Sequence, residues 1–190
     1  MEVAVKESQE RKAYPLGKVF QVPTRWGIKE TFLWGDMTIT DAWGNEVFKA
    51  VSNVFGFTRQ LNFMDLRTGE HIAYIKQRAL TLLPKYDIYV DGGHFASMEK
   101  EWAWTHKFTV TAFGLVGPIT VQGDWLSHSY EFCRENRVIA EVHKRFLTLT
   151  DTYSVDIQPG EDVIFILACC MIIDKCTFKR SSYRARHIWE

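Results

Sequence analysis

The chain has 190 residues, with 23 Lys and Arg set against 23 Asp and Glu, so its net charge is zero. That balance excludes long-range electrostatic capture of nucleic acid; only a local basic patch would serve such a partner. Hydrophobic residues make up 46% and aromatics 14%, enough for a large core and too many for a disordered chain, and the length suits one β domain.

Residues 1–17 are polar and charged and predict a flexible N-terminal arm. They contain no apolar stretch, so no secretory signal is expected, and Glu2, Glu7 and Glu10 do not suit an acid-poor transit peptide. Strand signals then follow at short intervals. Thr38-Ile39-Thr40 leads through a turn at residues 41–45 to Glu46-Val47-Phe48-Lys49-Ala50-Val51. Phe57 to Phe63 alternates apolar with polar, turns at Asp65 to Gly69, and returns as His71-Ile72-Ala73-Tyr74-Ile75. Tyr86 to Val90 meets Asp91-Gly92-Gly93, whose Asp-Gly pair tolerates the positive φ of a tight hairpin. Tyr130 to Cys133 turns at Arg134-Glu135-Asn136 into Val138 to Val142.

The hairpins repeat. Ala50, Ala73, Ala96 and Ala140 recur after their turns at near-equal spacing, the last interval being close to double. From Lys18 to Ile157 the signals give roughly twelve strands, the spacing of an antiparallel barrel or sandwich. Val163 to Ile173 then reads VIFILACCMII. A helix apolar on every side must be enclosed by protein or lipid, and crossing a bilayer takes about 20 such residues. A barrel of about eight strands is filled by its own side chains, whereas a wider one has room for a helix. The expected architecture is therefore a mostly-β, twelve-stranded, antiparallel closed barrel over residues 18–175, with a central hydrophobic helix at about 161–175. Glu161 and Asp162 are expected to cap its start, and a basic, aromatic tail follows at 176–190.

Tyr74-Ile75-Lys76-Gln77, Leu82-Leu83-Pro84-Lys85-Tyr86, Gly123-Asp124-Trp125 and Asp151-Thr152-Tyr153-Ser154-Val155-Asp156-Ile157, taken together, resemble the LURP-one-related proteins. That family is similar in fold to phospholipid scramblases and to the Tubby C-terminal domain. The resemblance covers about residues 18–175 and implies the same barrel around a C-terminal helix. For function it implies scramblase-like lipid transfer or binding of phosphoinositides.

The residues themselves point away from catalysis. There is no Gly-x-Ser-x-Gly, no His-Glu-x-x-His and no phosphate-cradling glycine loop ahead of a helix. His71, His94, His106, His128, His143 and His187 are widely spaced, and Ser127-His128-Ser129 after Asp124 is adjacency without triad geometry. Asp151, Asp156, Glu161 and Asp162 occupy the region where scramblases carry an acidic segment. Asp151 and Asp156 nevertheless have opposite parity along a strand, so capping is expected there rather than calcium binding. Cys133, Cys169, Cys170 and Cys176 form no Cys-x-x-Cys and read as small buried hydrophobes in a reducing compartment. No enzyme activity, cofactor or metal is expected.

Two candidate surfaces remain. Lys76, Arg78, Lys85, Lys100, Lys107, Lys144 and Arg145 fall at repeat-equivalent or neighbouring places, and stacked into a stripe they would attract anionic lipid or phosphoinositide. Glu99 and Glu101 interrupt that register. In the tail, Phe178, Lys179, Arg180, Tyr183, Arg184, Arg186 and Trp189 combine cations with aromatics and suit a protein partner or larger assembly, a membrane interface, or folding back on the barrel itself. The leading expectation is a cytoplasmic, non-enzymatic binding or scaffold module whose termini hold a protein partner. The alternative is a peripheral protein on anionic phospholipid.

Overall fold

The computed structural model describes residues 18–30, 35–55, 58–101, 107–112, 117–124, 129–144 and 152–186, and describes their side chains except at 54–55, 144 and 177–186. Twelve strands come first: β1 (Thr24–Glu30), β2 (Met37–Thr40), β3 (Glu46–Phe55), β4 (Thr58–Asp65), β5 (His71–Gln77), β6 (Lys85–Val90), β7 (Gly93–Lys100), β8 (Lys107–Ala112), β9 (Ile119–Asp124), β10 (Ser129–Arg134), β11 (Arg137–Lys144) and β12 (Thr152–Ile157). One helix follows, α1 (Val163–Arg186). Each strand pairs antiparallel with its sequence neighbours, and β1 closes the barrel against β12, Trp26 facing Val155. Closure leaves no open sheet edge.

The period-two pattern sorts residues between the two faces. Leu61 and Phe63 on β4, Ala73 and Ile75 on β5, and Tyr86 and Ile88 on β6 point inward and are buried. The expected turns appear where the chain supplies suitable residues: Asp91 (φ 50°) with Gly92 (φ 76°), and Glu135 (φ 49°) with Asn136 (φ 63°), both two-residue turns with positive φ.

The repeat has a cause that the alanines only hint at. Four hairpins slip register just after the turn. Phe63 faces Ala73 while Met64 faces His71, leaving Ile72 extra; in the same way Phe95 is extra before Ala96, and Ile139 before Ala140. A bulge of this kind aims two successive side chains at one face. Phe95 with Ala96, and Ile139 with Ala140, are accordingly both buried. In the β2–β3 hairpin the extra residue is Val47, so Phe48 rather than Ala50 occupies the equivalent place.

The helix fills the barrel. Every residue from Val163 to Lys175 is buried, and Phe165 and Ile172 are each 0% exposed. Phe165 meets Phe95 of the wall edge-to-face, with ring centroids 5.5 Å apart. At the start of α1, Asp162 caps as expected, its Oδ1 accepting from the Phe165 N–H at 3.0 Å. Glu161 does not cap; its buried carboxylate takes the guanidinium of Arg134, with Arg137 at 3.7 Å. Residues 18–20 cross beneath this end, where the Lys18 carbonyl accepts from Val163 N–H and that of Phe20 from Gly160 N–H.

At the other end α1 does not stop near 175 but continues to Arg186. No Gly or Pro interrupts residues 174–186, so nothing breaks the backbone ladder there. Where it leaves, Lys175 donates to Glu30 at 2.7 Å and to the Gly35 carbonyl, Arg59 donates to the Lys175 carbonyl at 2.8 Å, and Tyr153 donates to Asp174 at 2.7 Å.

Candidate functional site

With α1 packed inside, the barrel interior is core rather than a ligand chamber. Cys169 and Cys170 sit fully buried there, and desolvation pushes both thiols upward, so they remain protonated hydrophobes. Burial likewise pushes Cys176 up to about 12, even with Tyr86, Lys100 and Arg59 around it. Among the described residues no cluster of three His, Cys, Asp or Glu is placed to hold a metal. Asp156 is committed to Arg25, with contacts of 2.6 and 2.9 Å, Glu161 to Arg134, and Asp162 to the start of the helix. Asp151, Ser127 and His128 lie outside the described residues.

Function must therefore be sought on the outside. Across β4, β5, β6 and β7 the outward side chains form two rows. Asn62 faces Tyr74, Tyr74 faces Tyr89, and Tyr89 faces His94; below them run Gln60, Lys76, Asp87 and Ser97. A hollow of about 600 Å³ opens over the first row, lined by Asn62, His71, Tyr74, Lys76, Tyr89 and Asp91. A second of about 460 Å³ adjoins it past Lys76 and Tyr89 towards Thr58 and Arg78. The two tyrosine rings lie 6.2 Å apart, and His94 meets Tyr89 edge-on at 5.6 Å. Burial, and then the neighbouring Tyr89, push the Tyr74 phenol up, so it stays neutral and able to donate.

Asp87 anchors the lower row. It is buried although it points outward, because Arg78 folds over it, donating from Nε at 2.5 Å and Nη2 at 2.9 Å. Ser97 donates to its Oδ1 at 2.7 Å, and His94 Nε2 lies 3.3 Å from the same oxygen. Burial alone would raise this carboxyl; the hydrogen bonds from Arg78, Ser97 and His94 outweigh it and hold it below the usual range. Ser, His and Asp meet here without forming a relay. A relay needs the imidazole between the other two, one ring nitrogen to each. Here the one nitrogen, Nε2, faces both Asp87 and Ser97 (3.1 Å), and the serine hydroxyl points at the carboxylate. The cluster fixes the groove floor.

The expected cationic stripe is dispersed by the strand register. Arg78 is bound to Asp87, Lys85 to Glu99 at 2.6 Å, and Lys107 to Glu101 at 3.5 Å. Lys100 faces inward opposite Phe108, beside Cys176. Lys144 ends β11 opposite Tyr153, its side chain outside the described set, and Arg145 is outside it altogether. Among the described residues of the stripe, Lys76 alone is exposed with no carboxylate in ion-pairing range, and it borders the groove. Of the tail, Phe178, Lys179, Arg180, Tyr183, Arg184 and Arg186 lie in the helical backbone of α1, while Trp189 is outside the described residues.

The groove itself went unread in the sequence. Tyr74 and Lys76 share one strand parity, Asp87 and Tyr89 another, but only the β5–β6 register brings the pairs face to face. The exposure of two further residues was not foreseen: Leu80 and Leu82, in the loop from β5 to β6, project fully into solvent.

Residues 25–174 match the family model described as LURP-one-related. A curated relative, the uncharacterised protein YxjI of Bacillus subtilis (strain 168), is 25% identical over 130 residues, which span 68% of this chain and 77% of the relative. The X-ray structure of an Arabidopsis thaliana protein, AT5G01750, superposes with a TM-score of 0.62 at 20% identity, covering 83% of this chain and 93% of the other. No helix of the described residues is long and apolar enough to cross a membrane.

Proposed function

The chain belongs to the LURP-one-related family, and on that footing we propose that it is a non-enzymatic binding module, its barrel a rigid platform for a protein partner. The observation that carries this reading is the groove over β4 to β7. Its side chains stand on hydrogen-bonded strands, its floor is held by the Asp87 cluster, and it presents two tyrosines and Lys76 to solvent. Tyrosine pairs supply large, stiff contact area with little entropy to lose, and Lys76 adds a charge for an acidic side chain. The helical continuation of α1 supplies a second point of grip through its basic and aromatic residues.

Head-group binding by the Lys/Arg stripe has less support, because Arg78, Lys85 and Lys107 already hold carboxylates. Lipid scrambling has least, because it requires residues 163–175 of α1 to leave a wall that buries every one of them.

Photo-crosslinking in cells tests the reading, with a photoreactive residue at position 76 compared with position 141 on another part of the wall. A specific adduct from position 76 is expected. The recovered protein should bind the purified chain and lose that binding on Tyr74→Ala with Tyr89→Ala. Equal adducts from both positions, or binding unchanged by the double substitution, would overturn the groove as the site.

A further inference from the structure

We infer that the β5–β6 loop, residues 78–84, is an insertion element for an anionic lipid bilayer, aided by the basic continuation of α1 beside it. Leu80 is 106% exposed and Leu82 98%, the two most exposed large hydrophobics among the described residues. Single exposed leucines need no explanation, but two in one loop with only Thr81 between them form a wedge. The wedge is held upright. Its neck is closed by the Arg78 N–H to the Lys85 carbonyl at 2.8 Å, and its base is tied to β7 by the Lys100 N–H to the Pro84 carbonyl at 3.1 Å. Leu80 also adopts φ 56°, a conformation uncommon for a leucine outside turns.

The surroundings select the occupant. Arg78 and Lys85 stand at the feet of the loop, and residues 78–84 contain no carboxylate. Tyr86, just beyond the loop, lies against Cys176, so the wedge sits next to the exit of α1. Beyond that exit the helix carries Lys179, Arg180, Arg184 and Arg186 and no acid. Asp87 and Glu99 offset the feet of the loop, so the basic character of this end comes from Lys76 and from the sequence of the helical segment. Leucines that dip into acyl chains with cations at head-group depth are the arrangement of a peripheral anchor.

The test is co-sedimentation of the full chain with phosphatidylcholine vesicles, with and without phosphatidylserine. Sedimentation with the anionic vesicles is expected. Leu80→Glu with Leu82→Glu should weaken it by roughly tenfold or more for each leucine withdrawn from lipid. Trp43→Glu, an equally exposed change at the opposite end of the barrel, should not. Since all three positions are exposed, circular dichroism should show each variant folded. Leu82→Trp supplies a direct readout: its emission should shift to the blue on anionic vesicles. No sedimentation at low salt, no loss in the double variant, or no blue shift would overturn the inference. The substitutions Tyr74→Ala and Tyr89→Ala should leave vesicle binding intact, so partner capture in the groove and membrane docking fail or stand separately.

Discussion

Replacing Phe165 with alanine removes the largest side chain of the buried part of the helix from the barrel interior. Phe165 is 0% exposed and meets Phe95 edge-to-face at 5.5 Å. Phe→Ala in a core costs about 3–5 kcal/mol, the spread reflecting how far neighbours collapse into the gap. Here collapse is resisted, because the wall is a closed ladder and cannot move inward without breaking strand pairing. The expected cost is therefore in the upper range, about 4–5 kcal/mol. At about 2–4 °C per kcal/mol for a domain of this size, Tm should fall by about 8–20 °C. Urea unfolding followed by circular dichroism measures it. Trp43→Ala, at 86% exposure, is the control and should stay within about 0.5 kcal/mol. Should Phe165→Ala prove too unstable to fold, Phe165→Leu keeps most of the volume and should cost under about 2 kcal/mol. A penalty for Phe165→Ala below about 1 kcal/mol, or no larger than that of Trp43→Ala, would refute a helix enclosed on every side.

Two further outcomes follow from the polar contacts. Lys175→Met strands Glu30 at the rim and should cost about 2–4 kcal/mol in urea unfolding, whereas Lys175→Met with Glu30→Gln should recover at least half; no recovery would mean that the pair is not what holds the helix end. Asp87→Asn should cost about 1.5–2 kcal/mol at pH 7, the lower part of the range for charged hydrogen bonds because Arg78 is partly exposed. The folded carboxyl is depressed, so its contribution is present above the unfolded value near 4 and lost as pH falls through the folded one. Stability of wild type and variant should converge below about pH 4, and a gap constant from neutral to acid would refute the assignment.

The strands could be read from the chain because one face of each is buried, and burial imprints the alternation seen from Phe57 to Phe63. The helix could be read because VIFILACCMII has no polar side to offer solvent. The bulges escaped because their trace is a single adjacent apolar pair, Phe95-Ala96 or Ile139-Ala140, within a pattern otherwise alternating. The ion pairs that hold cations of the stripe were only partly legible for a related reason. Glu99, Glu101 and Asp87 reach their partners through cross-strand register, which linear spacing does not encode. The helix overran its expected end because an apolar run marks where burial stops, not where backbone hydrogen bonding stops.

The position of α1 in the chain governs how the molecule is made. All twelve strands leave the ribosome before the rod they must surround, and the last seam joins β1 to β12 across nearly the full length of the wall. Until then the inner faces have nothing to pack on. The hairpins are local, but closure of that seam and the seating of α1 join distant parts of the chain, which makes the last step slow. The nascent wall, greasy on its concave side, is open to aggregation for as long as that wait lasts.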